Sequence, residues 1–199
     1  MTFIKNIRIG TEPSQDDLHS LISLYKDGDL KTVLTLSKKL INQFPRSITI
    51  LNFIAICYFK LNDLNGALVT YKAIVKINPD DADGHFNLAN LYKDLDKIEL
   101  AIASYKRVLK INPTDSDAYN NLGICFDKKN QFDKAFESYQ QAIIHNTENS
   151  IAYNNLGAHF DKLGKFKKAF EKYKEAVRIN PDYAEAYNNM GIAAQRRED

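Results

Sequence analysis

Apolar residues return along this chain as two helical stripes in every 34 residues. In residues 116–149, Tyr119, Leu122, Gly123 and Phe126 form the first stripe, and Phe132, Ala135, Tyr139 and Ala142 form the second. Steps of three and four place each set on one face of an α-helix. Residues 82–115 repeat the plan with His85, Leu88, Ala89 and Tyr92, then Ile98, Ala101, Tyr105 and Val108. Residues 150–183 do so with Tyr153, Leu156, Gly157 and Phe160, then Phe166, Ala169, Tyr173 and Ala176. Residues 48–81 carry Leu51, Ile54, Ala55 and Tyr58, then Leu64, Ala67, Tyr71 and Ile74, with Asn62-Asp63 as the turn between them. Pro45, Pro79, Pro113 and Pro181 stand on one 34-residue grid, and Thr147 takes the place where a fifth would fall.

The pattern predicts an all-α chain. Residues 1–13 form an N-terminal arm whose Phe3, Ile4, Ile7 and Ile9 can dock on the first helix. Repeats follow at 14–47, 48–81, 82–115, 116–149 and 150–183, with a half repeat at 184–199. The first repeat is atypical, as terminal repeats often are. Ser14 suits its N-cap, Leu18, Leu21, Ile22 and Tyr25 its first helix, and Gly28 the stop. Val33, Leu36, Leu40 and Phe44 are expected on its second helix, closed by Pro45. Without a proline at Thr147, the helix through Gln140 to His145 is expected to run on by about a residue. Ala55, Ala89, Gly123 and Gly157 are expected where the first helix of a pair meets the second, near Ala67, Ala101, Ala135 and Ala169.

Finer motifs recur on the same grid. Ala118-Tyr119-Asn120-Asn121-Leu122-Gly123 returns as Ala152-Tyr153-Asn154-Asn155-Leu156-Gly157 and as Ala186-Tyr187-Asn188-Asn189-Met190-Gly191; Tyr173-Lys174-Glu175-Ala176 and Asn180-Pro181 complete the unit. This pattern resembles the tetratricopeptide repeat over residues 14–199. The resemblance implies a right-handed α-solenoid of stacked helix-turn-helix units, with the first helix of each pair lining a concave groove. It implies a role in holding protein or peptide partners.

On that reading the asparagines are the candidate contacts. Asn87, Asn121, Asn155 and Asn189 share the sixth position of their repeats; Asn52, Asn120, Asn154 and Asn188 share the fifth. An asparagine amide pairs with both polar groups of a peptide backbone. The sixth-position series is similar to the asparagine ladder in the superhelical repeat domain of O-linked N-acetylglucosamine transferases, which implies backbone gripping of an extended polypeptide. Asn90, Lys128 and Lys162, with Phe86, are the neighbours expected to supply preference. A clamp for a C-terminal carboxylate is not expected, because the second position holds Thr49, Asp83, Asp117, Ile151 and Glu185 instead of Lys or Arg.

Composition narrows the function classes. The 199 residues are 44% hydrophobic and 26% charged with net charge +2, and no basic stripe points to nucleic acid. Lys165, Lys167, Lys168, Lys172, Lys174 and Arg178 crowd one repeat, but Glu171 and Glu175 are interleaved, as on a solvated face. Cys57 and Cys125 share one repeat position 68 residues apart, which suits packing rather than a disulfide or a metal. His19, His85, His145 and His159 read as scattered, and Asp127 and Asp161 as solvated helix residues. No phosphate loop or metal-ligand spacing occurs, so no cofactor is expected. No apolar run reaches membrane-spanning length, and the first residues lack a signal-peptide core, so a cytoplasmic setting is expected. The expected function is a non-enzymatic scaffold that binds an extended polypeptide. The alternative is the targeting arm of a sugar, sulfate or methyl transferase whose catalytic domain lies beyond Asp199. The half repeat leaves an apolar side through which copies can self-associate.

Overall fold

The computed structural model describes residues 12–196; the docking expected of Phe3, Ile4, Ile7 and Ile9 lies outside them. Eleven α-helices and no strands occur among the described residues. They are α1 (Gln15–Lys26), α2 (Leu30–Ile41), α3 (Ile48–Lys60), α4 (Leu64–Ile77), α5 (Ala82–Asp94), α6 (Ile98–Ile111), α7 (Ser116–Lys128), α8 (Phe132–His145), α9 (Ser150–Lys162), α10 (Phe166–Ile179) and α11 (Ala184–Arg196). The fold is an α-solenoid of stacked helix-turn-helix repeats. Its contacts divide within α5 into a unit ending at Leu91 and a unit beginning at Tyr92.

In the N-terminal unit α1 packs on α2, α2 on α3 and α3 on α4. Its core gathers Leu21, Val33, Leu40, Ile50, Ile54 and Cys57. In the C-terminal unit each of α6 to α11 packs on the next, and the odd-numbered helices also touch one another, α7 to α9 and α9 to α11.

The turns inside each pair obey the 34-residue period. Gly28, Asn62, Asp96, Asn130 and Gly164 all have positive φ, between 56° and 80°. Asparagine and aspartate are the side-chain-bearing residues that most readily accept this left-handed conformation, so three repeats manage without glycine.

The joints between pairs correct two expectations. Helix α8 stops at His145 and has the same 14 residues as α4, α6 and α10, so the missing proline at Thr147 does not lengthen it. The stop is set by asparagine. Asn78, Asn112, Asn146 and Asn180 are all extended C-caps. Each turns its Oδ1 to accept the N–H two residues on, from Asp80, Thr114, Glu148 and Asp182. That side-chain turn competes with helix continuation whether or not a proline follows. Helix α2 ends early, at Ile41, so Phe44 is not a helical residue. Its N–H returns to the Leu40 carbonyl, and its ring reaches the core from the turn.

The small residues are buried as expected, against the second helix of their own pair. A Cβ on Gly157 would lie 2.6 Å from Cε1 of Tyr173, and one on Gly123 equally close to Tyr139. The closest neighbours of the glycines are therefore the tyrosine rings of the second helix. Gly191, which has the same repeat position, is exposed with open space above it, because no second helix covers it among the described residues. Tyr187 and Ile192 of the same helix are exposed as well.

Both cysteines are free and fully buried. Burial pushes the Cys125 thiol up to about 11, against the opposing pull of Lys93 and Lys128, and raises Cys57 too. Since the thiolate is the reactive form, neither should be modified by a disulfide reagent at neutral pH in the native protein, and both should react in denaturant. Native reaction of Cys125 as fast as that of a free thiol would contradict this burial.

Candidate inner-face site

In the C-terminal unit α7, α9 and α11 lie side by side and are fastened by asparagines. Asn155 donates an amide N–H to Oδ1 of Asn120 at 2.9 Å, and Asn189 donates to Oδ1 of Asn154 at 3.1 Å. Asn154 in turn donates to Tyr183 Oη and Glu185 Oε1, both at 3.3 Å. Asn120 and Asn154 are buried, as side chains with their polar atoms satisfied inside a protein can be. Asn155 and Asn189 are half-buried on the face the helices share.

The remaining predicted positions are scattered. Asn121 is half-buried and accepts from Lys93 Nζ at 3.2 Å. Asn188 is exposed. In the N-terminal unit Asn52 lies half-buried on α3 with its Oδ1 buried and unbonded, and Asn87 and Asn90 are half-buried on α5. The bond that the Asn120–Asn155 pair makes, repeated two units earlier, would join Asn87 to Asn52, but Asn52 Oδ1 is unbonded there; one unit earlier Phe86 takes the acceptor's place.

A pocket of about 310 Å³ opens between α7 and α9, lined by Ile124, Asp127, Lys128, Tyr139, Asn155, Ala158, His159 and Lys162. It brings together three residues singled out in the sequence, Asn155, Lys128 and Lys162. Lys128 is exposed and pairs with Asp96 at 3.3 Å. Lys162 crosses to α7, donating to the Asp127 carbonyl at 2.7 Å and to Asn130 Oδ1 at 3.1 Å.

The pocket floor holds a cluster the sequence reading did not assemble. Asp127 Oδ1 accepts the Nδ1–H of His159 at 2.8 Å, and its Oδ2 accepts the hydroxyl of Tyr139 at 3.1 Å. Burial, reinforced by the Asp127 carboxylate, raises the Tyr139 phenol well above its usual range, so it remains a neutral donor. The His159 ring is 2% exposed and is enclosed by Phe132, Phe136, Tyr139 and Phe160. With Asp127, a histidine so enclosed locks α9 to α7. Asp161 likewise belongs to another helix, holding Arg196 of α11 at 3.1 Å. The signal that would have found His159 is its repeat position. Cys57, Leu91, Cys125, His159 and Ala193 stand 34 residues apart, and all five are buried. Among the described residues no three His, Cys, Asp or Glu side chains gather as a metal site, and no helix is long and apolar enough to cross a membrane.

Family profiles described as TPR repeat match residues 57–96 and 160–196, and those described as tetratricopeptide repeat match 82–115 and 116–149. This chain is built of tetratricopeptide repeats. No curated protein sequence matches it. Among solved structures, one of MamA from Desulfovibrio magneticus superposes with TM-score 0.76 at 18% identity, covering 84% of this chain and 95% of that one. A thermophilic tetratricopeptide-repeat protein in Thermus thermophilus gives 0.73 at 22% identity, covering 91% and 98%. YrrB, described as a repeat protein with an unusual peptide-binding site, gives 0.70 at 18% identity, covering 92% and 94%. At these identities the likeness is one of fold.

Proposed function

We propose that this tetratricopeptide-repeat chain is a non-enzymatic scaffold that holds an extended polypeptide against the first helices of its repeats. The observation that carries the reading is the division of labour between paired asparagines. Asn120 and Asn154, buried, fix the amides of Asn155 and Asn189, which face outward. Oδ1 of Asn155 makes no hydrogen bond within the described residues, so a fixed acceptor with one further N–H beside it is presented at the pocket. Holding the amide in place in advance lowers the entropy lost on binding. The fifth-position asparagines thus serve as positioning residues, and the sixth-position ones as backbone contacts. The similarity of this spacing to the transferase ladder supports the reading, as does the peptide-binding description of YrrB. Lys128 and Lys162 at the pocket rim favour an acidic or carbonyl-bearing side chain there.

Each contact is worth about 0.5–1.5 kcal/mol net, so binding through asparagines alone should be weak and tolerant of sequence. The test is an array of extended peptides, followed by titration of the best binder. Asn155→Ala should weaken that peptide by roughly tenfold, which corresponds to about 1.4 kcal/mol, with the helical circular dichroism unchanged. Equal affinity of the variant would overturn the backbone-gripping role.

A further inference from the structure

The opposite side of the C-terminal unit carries a larger opening, of about 530 Å³, between α8 and α10. Leu156 and Phe160 of α9 form its floor, Phe136, Ile143 and Ile144 of α8 one wall, and Lys167, Lys168 and Lys172 of α10 the other. The repeat grid shows that the two walls depart from the pattern of the regular repeats at three positions. Ile144, 63% exposed, stands where other repeats have Lys76, Lys110 and Arg178. Lys172 stands where they have Thr70, Ser104 and Ser138, two of whose hydroxyls bond back to their own helix. Lys167 stands where they have Asn65, Glu99 and Asp133, although the atypical first repeat carries Lys31 there. An apolar residue has replaced a basic one on α8, and two lysines have replaced neutral or acidic residues on α10.

The lysines extend the groove rather than close it. Their ammonium groups lie over aromatic faces, Lys168 at 5.7 Å from the Phe160 ring and Lys172 at 5.8 Å from that of Tyr153. The aliphatic stems add to the apolar surface and the charges stay at the rim. Glu171 is the one acidic group among the lining residues.

We infer that the α8–α10 groove is a second docking site, separate from the inner face, and that it takes an acidic amphipathic helix. Such a helix seats its apolar stripe on Ile143, Ile144, Phe136 and Phe160 and sets Asp or Glu against Lys167, Lys168 and Lys172. A helix laid in a groove is read by apolar anchors at i, i+3, i+4 and i+7, which suits an apolar floor and wall facing one charged wall. An acyl-chain carboxylate shares the chemistry, but small ligands bind where most of their surface is enclosed. Here one wall is more than half exposed at Ile144.

The experiment uses the whole chain and a fluorescent helical peptide as long as α8, with a leucine stripe flanked by glutamates. A second peptide carries lysines in place of the glutamates. The acidic peptide should bind at least tenfold more tightly, and added salt should weaken it. Lys172→Ser and Ile144→Lys, which restore the residue types of the other repeats, should each weaken it about tenfold with the dichroism unchanged. Asn155→Ala should leave it unaffected, which keeps this site distinguishable from the inner face. Equal binding of both peptides, unaltered affinity of both groove variants, or binding of oleate in preference to the acidic peptide would overturn the assignment.

Discussion

Above about pH 10 the protein should lose stability steeply, with its buried tyrosines ionising only as it unfolds. Tyr71, Tyr105, Tyr139 and Tyr173 occupy one position of four successive second helices, and none is more than 5% exposed. Burial pushes Tyr71 and Tyr173 up to about 12, and it raises Tyr105 and Tyr139 further. Because the folded values lie above the unfolded one, the stabilisation is fully present below about pH 10 and is lost as pH rises through the folded values. At a pH one unit above the unfolded value, each such tyrosine destabilises the fold by about 1.4 kcal/mol, and four together by about 5.6 kcal/mol. Thermal melts across the alkaline range, with tyrosinate absorbance followed in parallel, make the check. A gradual native-state titration of all tyrosines, with no loss of helix, would contradict the packing described here.

Gly157→Leu should be the most damaging single substitution at the contact between the helices of a pair. A Cβ there meets the Tyr173 ring at 2.6 Å, and that ring is itself buried. The equivalent positions over Tyr71 and Tyr105 hold Ala55 and Ala89, so one methyl is tolerated when the ring yields slightly. Gly157→Ala should therefore be near neutral, the strain being offset by about 1 kcal/mol of helix propensity. Gly157→Leu has no such escape and should cost about 1–3 kcal/mol or more. Urea denaturation of the pair of variants separates the two effects. Equal stability of the alanine and leucine forms would show that the ring is not held where the structure places it.

The repeat architecture was legible because small and aromatic residues recur at fixed positions, and burial follows those positions directly. What escaped was chemistry carried by offsets. Proline at the 34-residue spacing suggests itself as the stop of the second helices, but a capping asparagine at 78, 112, 146 and 180 sets it, and Phe44, which holds that position in the first repeat, lies beyond an α2 already capped at Asn42. His159 has no pattern among the four histidines, and its burial follows only from the series it shares with Cys57 and Cys125. Asp127 looked solvated because its partners lie on other helices, 12 and 32 residues away. The burial of Asn120 and Asn154 was hidden for a related reason. Adjacent asparagines on a helix point about 100° apart, so only one of each pair can face outward, and the sequence does not say which.

The asparagine fastening has a consequence for how such a chain grows. Asn120 with Asn155 and Asn154 with Asn189 are both 35 residues apart, one more than the repeat. Each Asn-Asn dipeptide therefore offers an acceptor to the unit that follows and, through its second member, a donor to the unit before. A unit of that kind matches copies of itself on both sides. Duplication of residues 150–183 in the gene would set one Asn-Asn dipeptide beside another at each new junction, with the bonding groups already in register. The solenoid can lengthen by whole repeats without inventing an interface, whereas a unit carrying Phe86 in place of the first asparagine cannot be copied forward on the same terms.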